Sequence, residues 1–297
     1  MIICKNLKGG LLPMTTPHDF AQQLRQQQAA KRPGPTPQDG ASEQVTTLTI
    51  PTSVGAVPVY RHQPHFVPAQ RVIINLHGSG FIFPHNAYDD LFAKQLCLST
   101  QALVLDVDYP LAPEHPFPQP LQATYQVIQA LQAQYHSLGA PTIIGHSAGG
   151  NLAIGTQLLA QRHNQPKADR VILDYPALDL DTKPADKPFP AGARAIISPE
   201  LAETFNAYYR PSGETGNPLI SPVTATSTDL HGFPPTFILT ADHDSLMPEA
   251  ESFGQSLIAA GCTVTLHRYQ NVHHGFTLNG EGQADQALRD ILAYIQA

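Results

Sequence analysis

The sequence predicts an α/β fold: a mostly parallel sheet wrapped by helices. Short continuous apolar runs recur at Val72–Leu76, Leu103–Val107, Thr142–Ile144, Val171–Leu173 and Thr236–Leu239, the signature of strands buried on both faces. Stretches with helical 3–4 spacing separate most of them, the alternation that parallel pairing needs. A chain of 297 residues with 42% hydrophobic content can fill one such core and still carry an insertion.

Taken in order, Thr16-Pro17-His18-Asp19 reads as a helix start, with a Thr cap, Pro at the first helical position and an acid three residues after the cap. Phe20 and Leu24 then share one face of a glutamine-rich helix ending near Ala30. Pro33, Gly34, Pro35, Pro37 and Gly40 break the chain, so residues 1–42 form an N-terminal arm. Residues 45–50 and 56–61 alternate apolar and polar around Ser53-Val54-Gly55, an antiparallel pair at a sheet edge. Leu121, Tyr125, Ile128, Leu131 and Tyr135 mark a buried helix face that ends at Gly139. Residues 178–231 interrupt the alternation, being too long for an ordinary crossover. Ser198-Pro199-Glu200 starts a helix within this interval, with Leu201, Phe205 and Tyr208 as its apolar stripe, and the interval reads either as a long structured insertion or as a cap on the strand-end side of the sheet. The core is then 43–177 together with 232–297. It closes on an alternating run at Thr263–Arg268 and a helix marked by Ala284, Leu288, Ile291 and Ile295.

Composition removes several classes of function. A net charge of −7 and pI near 6.0 argue against nucleic acid or an acidic membrane as partner. Cys4, Cys97 and Cys262 are odd in number and far apart, with no C-x-x-C, so neither a zinc site nor a disulfide framework is expected. His62-x-x-His65 sits among prolines without ligand partners, and the expectation is no metal and no cofactor. Met1-Ile2-Ile3-Cys4-Lys5 breaks too early for a signal segment, and no apolar run approaches the ~18 residues of a membrane span. The expected location is the cytoplasm.

The chemistry rests on Gly145-His146-Ser147-Ala148-Gly149 between an apolar strand and the helix containing Asn151-Leu152-Ala153-Ile154. Strand, G-x-S-x-G and helix together force a serine into an exposed turn, with glycines where side chains at 145 and 149 would collide. The helix N-terminus behind it offers free N–H groups to a developing oxyanion. A nucleophilic serine needs a base and an acid to orient that base. Asp242-His243-Asp244 follows one strand and His273-His274 follows the next, at the sheet edge that displays Ser147. The residues themselves leave the acid open between Asp242, Asp244 and Asp179, and the base between His273 and His274. Asn75-Leu76-His77-Gly78-Ser79-Gly80-Phe81 is a glycine-rich loop suited to donating backbone N–H groups.

Five ordered motifs make residues 60–296 resemble the hormone-sensitive-lipase-like bacterial carboxylesterases. They are His77–Phe81, Asp108–Pro118, Gly145–Gly150, Thr240–Leu246 and His274-Gly275-Phe276. The resemblance implies an α/β-hydrolase fold with a mostly parallel eight-stranded sheet and a helical cap, built from the N-terminal arm and the insertion. It implies Ser147 as nucleophile, Asp244 as acid and His274 as base, with the N–H groups of Ser79, Gly80 and Ala148 as oxyanion donors. Three positions depart from the family pattern: Ser79 replaces the middle glycine of H-G-G-G, His146 stands where aspartate is usual, and Pro248 replaces the aspartate before Glu249. The implied activity is hydrolysis of short- to medium-chain carboxylic esters through an acyl-enzyme. The alternatives are a deacetylase or amidase acting on an acetylated small molecule, or a non-catalytic binder of a small ligand. The family includes monomers and dimers joined along a sheet edge, which leaves a homodimer open.

Overall fold

In the computed structural model, which describes residues 16–31, 43–189 and 195–297, the chain opens with helix α1 (Pro17–Lys31). Its start is fixed by a reciprocal cap: Asp19 N–H donates to Thr16 Oγ1 at 3.2 Å, and Thr16 N–H donates to Asp19 Oδ2 at 3.1 Å. A hairpin follows, β1 (Glu43–Thr52) and β2 (Gly55–Pro64), longer at both ends than the alternating residues alone suggest. Next come β3 (Val72–Leu76), α2 (Ala87–Thr100), β4 (Leu103–Val107), α3 (Gln119–Gln134), β5 (Thr142–His146), α4 (Ala148–Arg162) and β6 (Arg170–Asp174). Residues 178–231 carry α5 (Pro199–Tyr209) and the four-residue α6 (Ser227–Leu230). The chain finishes with β7 (Thr236–His243), α7 (Met247–Ala259), β8 (Val264–His273), the short α8 (Phe276–Asn279) and α9 (Ala284–Gln296).

The eight strands form one sheet in the order β1-β2-β4-β3-β5-β6-β7-β8. β2 pairs antiparallel with both of its neighbours, and every pair from β4 to β8 is parallel. The two-residue strand period then sorts the core. Leu105, Ile74, Ile143 and Val171 lie in register across four strands on one face, where α3, α4 and α7 cover them. Val104 and Ile73, and two residues along Ile144 and Ile172, lie on the other face and pack under α2 and α9. Strands covered on both sides explain why their sequences are continuously apolar rather than alternating.

β8 departs from expectation. It runs to His273 rather than ending at Arg268, and it occupies an open sheet edge. Its pairing with β7 slips between Ala241 and His243, and Asn271 adopts a φ of 57°. Such irregularity disrupts the alternation by which a strand is read from sequence. Asp242 accordingly lies within β7, whereas Asp244 stands just past its end.

Candidate active site

Ser147 sits between β5 and α4 with φ 52° and ψ −116°, backbone angles that a residue with a Cβ rarely adopts. The turn is held by its surroundings. Ser147 N–H donates to the Asp174 carbonyl at 2.9 Å, while the Ser147 carbonyl accepts from Gly150 N at 3.0 Å and Ala177 N at 3.1 Å. Glycine is required on either side. A Cβ on Gly145 would lie 2.5 Å from the Gly149 carbonyl oxygen, as the motif predicts. At Gly149 the obstacle is different: its Cβ would fall 2.1 Å from the Leu76 carbonyl oxygen, at the end of β3.

Three loops converge on this hydroxyl. His274 Nε2 lies 3.0 Å from Ser147 Oγ, and His274 Nδ1 lies 2.7 Å from Asp244 Oδ2. Asp244 Oδ1 accepts from Leu246 N–H at 3.0 Å, which fixes the carboxylate plane. Burial draws the His274 imidazole down, yet the charge of Asp244 and its hydrogen bond outweigh this and hold it above its ordinary range. The other candidates are engaged elsewhere. Asp242 Oδ1 accepts from Val272 N–H at 3.2 Å, His273 Nδ1 meets Glu281 Oε1 at 2.6 Å, and Asp179 Oδ1 accepts from Asp181 N and Thr182 N.

The loop after β3 faces the same hydroxyl. Among the described residues, the N–H groups of Ser79, Gly80 and Ala148 have no hydrogen-bond acceptor, so all three are free to donate. Gly80 has φ +54°, and a Cβ there would lie 2.5 Å from the Phe205 ring. The Ser79 hydroxyl is used within the loop: it lies 2.7 Å from Tyr109 OH and accepts from Phe81 N–H at 2.8 Å. Tyr109 OH in turn donates to the His77 carbonyl at 2.6 Å, and the His77 ring stacks on Tyr109 at 4.3 Å. Full burial pushes His77 down to about 3, so the ring is neutral packing. The proline at 248 leaves Glu249 in place, where its Oε1 accepts from Leu178 N and Asp179 N and its Oε2 pairs with Lys187 Nζ at 2.5 Å. Burial, partly offset by Lys187, pushes Glu249 up to about 7.

Two cavities meet at Ser147 and His274. One, of about 290 Å³, is bounded by insertion residues including Phe189, Ile196, Pro199 and Phe205. The other, of about 400 Å³, runs toward α1 and α2 past Leu24, Gln28, Asp89 and Leu278. Sequence reasoning missed Tyr175, which has φ 38° and sets its ring against His274 at 4.8 Å. It also missed the neighbouring Asp174, whose position at the end of a parallel strand was the available signal. Among the described residues there is no cluster of three or more His, Cys, Asp or Glu able to hold a metal, and no helix long and apolar enough to cross a membrane.

A serine, a neutralisable imidazole and a carboxylate in this order, with free N–H groups opposite, can perform acyl transfer. Comparison with known proteins agrees. Residues 73–278 match a family model described as alpha/beta hydrolase fold. Carboxylesterase NlhH of Mycobacterium tuberculosis is 29% identical over 69% of this chain and 66% of its own length, so the chain spans just under two thirds of that relative. An esterase of Acinetobacter venetianus is 29% identical over 76% of this chain and 75% of its own. Among solved structures, a Pyrobaculum calidifontis esterase superposes with a TM-score of 0.82 at 26% identity, covering 95% of this chain and 94% of that one.

Proposed function

This chain belongs to the alpha/beta hydrolase fold family, and from that premise we propose that it is a serine carboxylesterase acting on short- to medium-chain esters. The observation that carries the reading is the continuous contact from Asp244 through His274 to Ser147, at 2.7 and 3.0 Å. Both distances lie within hydrogen-bond reach for a base and its nucleophile. The names of the esterase relatives support the bond that is broken.

Ser147 Oγ attacks the ester carbonyl while His274 Nε2 takes its proton. The carbonyl oxygen becomes an oxyanion facing the N–H groups of Ser79, Gly80 and Ala148, each worth about 10²–10³ in turnover. Asp244 keeps the Nδ1 proton in place and stabilises the imidazolium. As the tetrahedral intermediate collapses, His274 returns the proton to the departing alcohol and leaves an acyl-Ser147 ester. Water, deprotonated by the same imidazole, repeats the attack and releases the carboxylic acid. Cavities of about 290 and 400 Å³ support a small acyl group and a small alcohol, one on each side of the serine.

The test is labelling with a fluorophosphonate alongside an acyl-length series of aryl esters. Wild-type protein is expected to label and to turn over acetate or butyrate esters faster than long-chain triglycerides, and Ser147→Ala to do neither. An unreactive wild-type protein would favour the non-catalytic binder, and faster long-chain turnover would overturn the chain-length assignment.

A further inference from the structure

Asp174, a carboxylate that ester hydrolysis does not use, lies beneath the reacting pair. It ends β6, is 0% exposed, and touches both halves of the site. Its carbonyl accepts the Ser147 N–H at 2.9 Å. Its Oδ2 lies 2.8 Å from Nδ1 of His146, the residue before the serine. The same oxygen accepts from Thr277 Oγ1 at 2.5 Å, three residues beyond His274. Thr277 Oγ1 also lies 3.2 Å from the hydroxyl of Tyr175, whose ring packs against His274.

The chain of contacts continues across the sheet. His146 Nε2 lies 3.1 Å from Asn75 Oδ1, and Asn75 Nδ2 donates to Asp106 Oδ1 at 3.0 Å. Because a carboxylate only accepts, Asn75 must turn its NH₂ toward Asp106 and its oxygen toward His146. Both ring nitrogens of His146 therefore lie against buried polar atoms, Asp174 Oδ2 and Asn75 Oδ1, and swinging the ring away would leave its N–H without a partner, at a cost of about 1–3 kcal/mol.

We propose that Asp174, His146 and Thr277 form a second relay that sets the separation between Ser147 Oγ and His274 Nε2. They are positioning residues, since none touches the reacting atoms. The need for them is physical. The Ser147–His274 contact breaks and re-forms in each cycle of the proposed esterase reaction, so it cannot by itself maintain its own geometry. Thr277 lies on α8, which is four residues long and has little internal support. Its hydroxyl ties that turn to β6, and His146 ties the serine turn to the same carboxylate. A displacement of about 1 Å at such a site can cost 10²-fold in rate.

The inference rests on the esterase reading, and the variants are chosen to separate the two. Thr277→Val removes the hydroxyl and keeps the shape, Thr277→Ser restores it, and Asp174→Asn removes the charge. The charged groups facing His274 are Asp244, Asp174 and Glu249, and all three raise it. With an aryl ester, Thr277→Val is expected to lose at least ~10-fold in kcat with unchanged KM and an unmoved acid limb, and Thr277→Ser to recover most of it. Asp174→Asn is expected to lose kcat and also to shift the acid limb of kcat/KM to lower pH. Wild-type kcat in Thr277→Val, no recovery in Thr277→Ser, or an unmoved limb in Asp174→Asn would overturn the relay. An NMR titration of the His274 ring in wild type and Asp174→Asn reads the same coupling without substrate. A protein that shows this shift yet hydrolyses nothing would therefore fault the esterase reading and not the relay. If Asp174→Asn does not fold, the Thr277 pair decides alone.

Discussion

At the scale of single residues, Ser147 shows strain that suits its proposed role as nucleophile: its φ of 52° lifts the hydroxyl clear of the backbone, and surrounding hydrogen bonds keep it there. His274 shows a balance of opposed effects. Burial disfavours its charge, Asp244 favours it more strongly, and the net result lies above the ordinary histidine value. In the proposed reaction the neutral ring accepts the serine proton, so kcat/KM should fall on the acid side through a limb above that of a free imidazole. The corresponding stability is fully present below the unfolded histidine pKa and is lost as pH rises through the folded one. Asp244→Asn should move that limb to lower pH and cut kcat by about 10⁴, read from a pH–rate profile. The serine could be read from its glycines together with the apolar strand before them and the helix after them. Choosing Asp244 over Asp242 required the resemblance, because a strand slip decides which of the two leaves the sheet. No local pattern announces a bulge.

At the scale of elements, α1 packs Ala21, Phe20 and Leu24 on the core, and one long side chain adds a polar clasp. Arg25 donates Nε to the Ile82 carbonyl at 2.7 Å, Nη2 to the Ala112 carbonyl at 2.9 Å, and both Nη groups to the Glu114 carboxylate at 2.7 and 2.8 Å. That carboxylate belongs to the proline-rich motif, and Ile82 belongs to the loop carrying Ser79 and Gly80. The clasp thus joins α1, where Leu24 and Gln28 wall the larger cavity, to the proposed oxyanion loop. Arg25→Met keeps the aliphatic stem and removes five donors. It should cost about 1–3 kcal/mol, lower kcat/KM, and speed proteolysis within α1, measured by limited digestion beside a denaturant titration. The start of α1 was legible because Thr16 and Asp19 are neighbours in sequence. Arg25 was not, since its partners lie 57 to 89 residues away. α2 went unread although its cap is as local as that of α1, with Asn86 and Asp89 three residues apart in a capping box.

At the scale of the whole molecule, the sheet was readable wherever strands are covered on both faces, because burial on two sides writes itself as continuous apolar runs. It was less readable at its edges. β8 is exposed on one side, alternates irregularly and ends in His273, next to His274, the proposed base. The serine, by contrast, stands on β5, with β3 and β6 paired on either flank. An outermost strand with a free border opens at lower free energy than an interior one. Mild denaturant should therefore peel His274 away while Ser147 stays seated, and the proposed esterase activity should vanish at a lower urea concentration than far-ultraviolet ellipticity. Coincident midpoints would mean that the border is as firmly held as the centre. Durability of the proposed activity should thus be set by the outermost strand that leads into His274, and bracing that seam should lengthen working life more than repacking the middle.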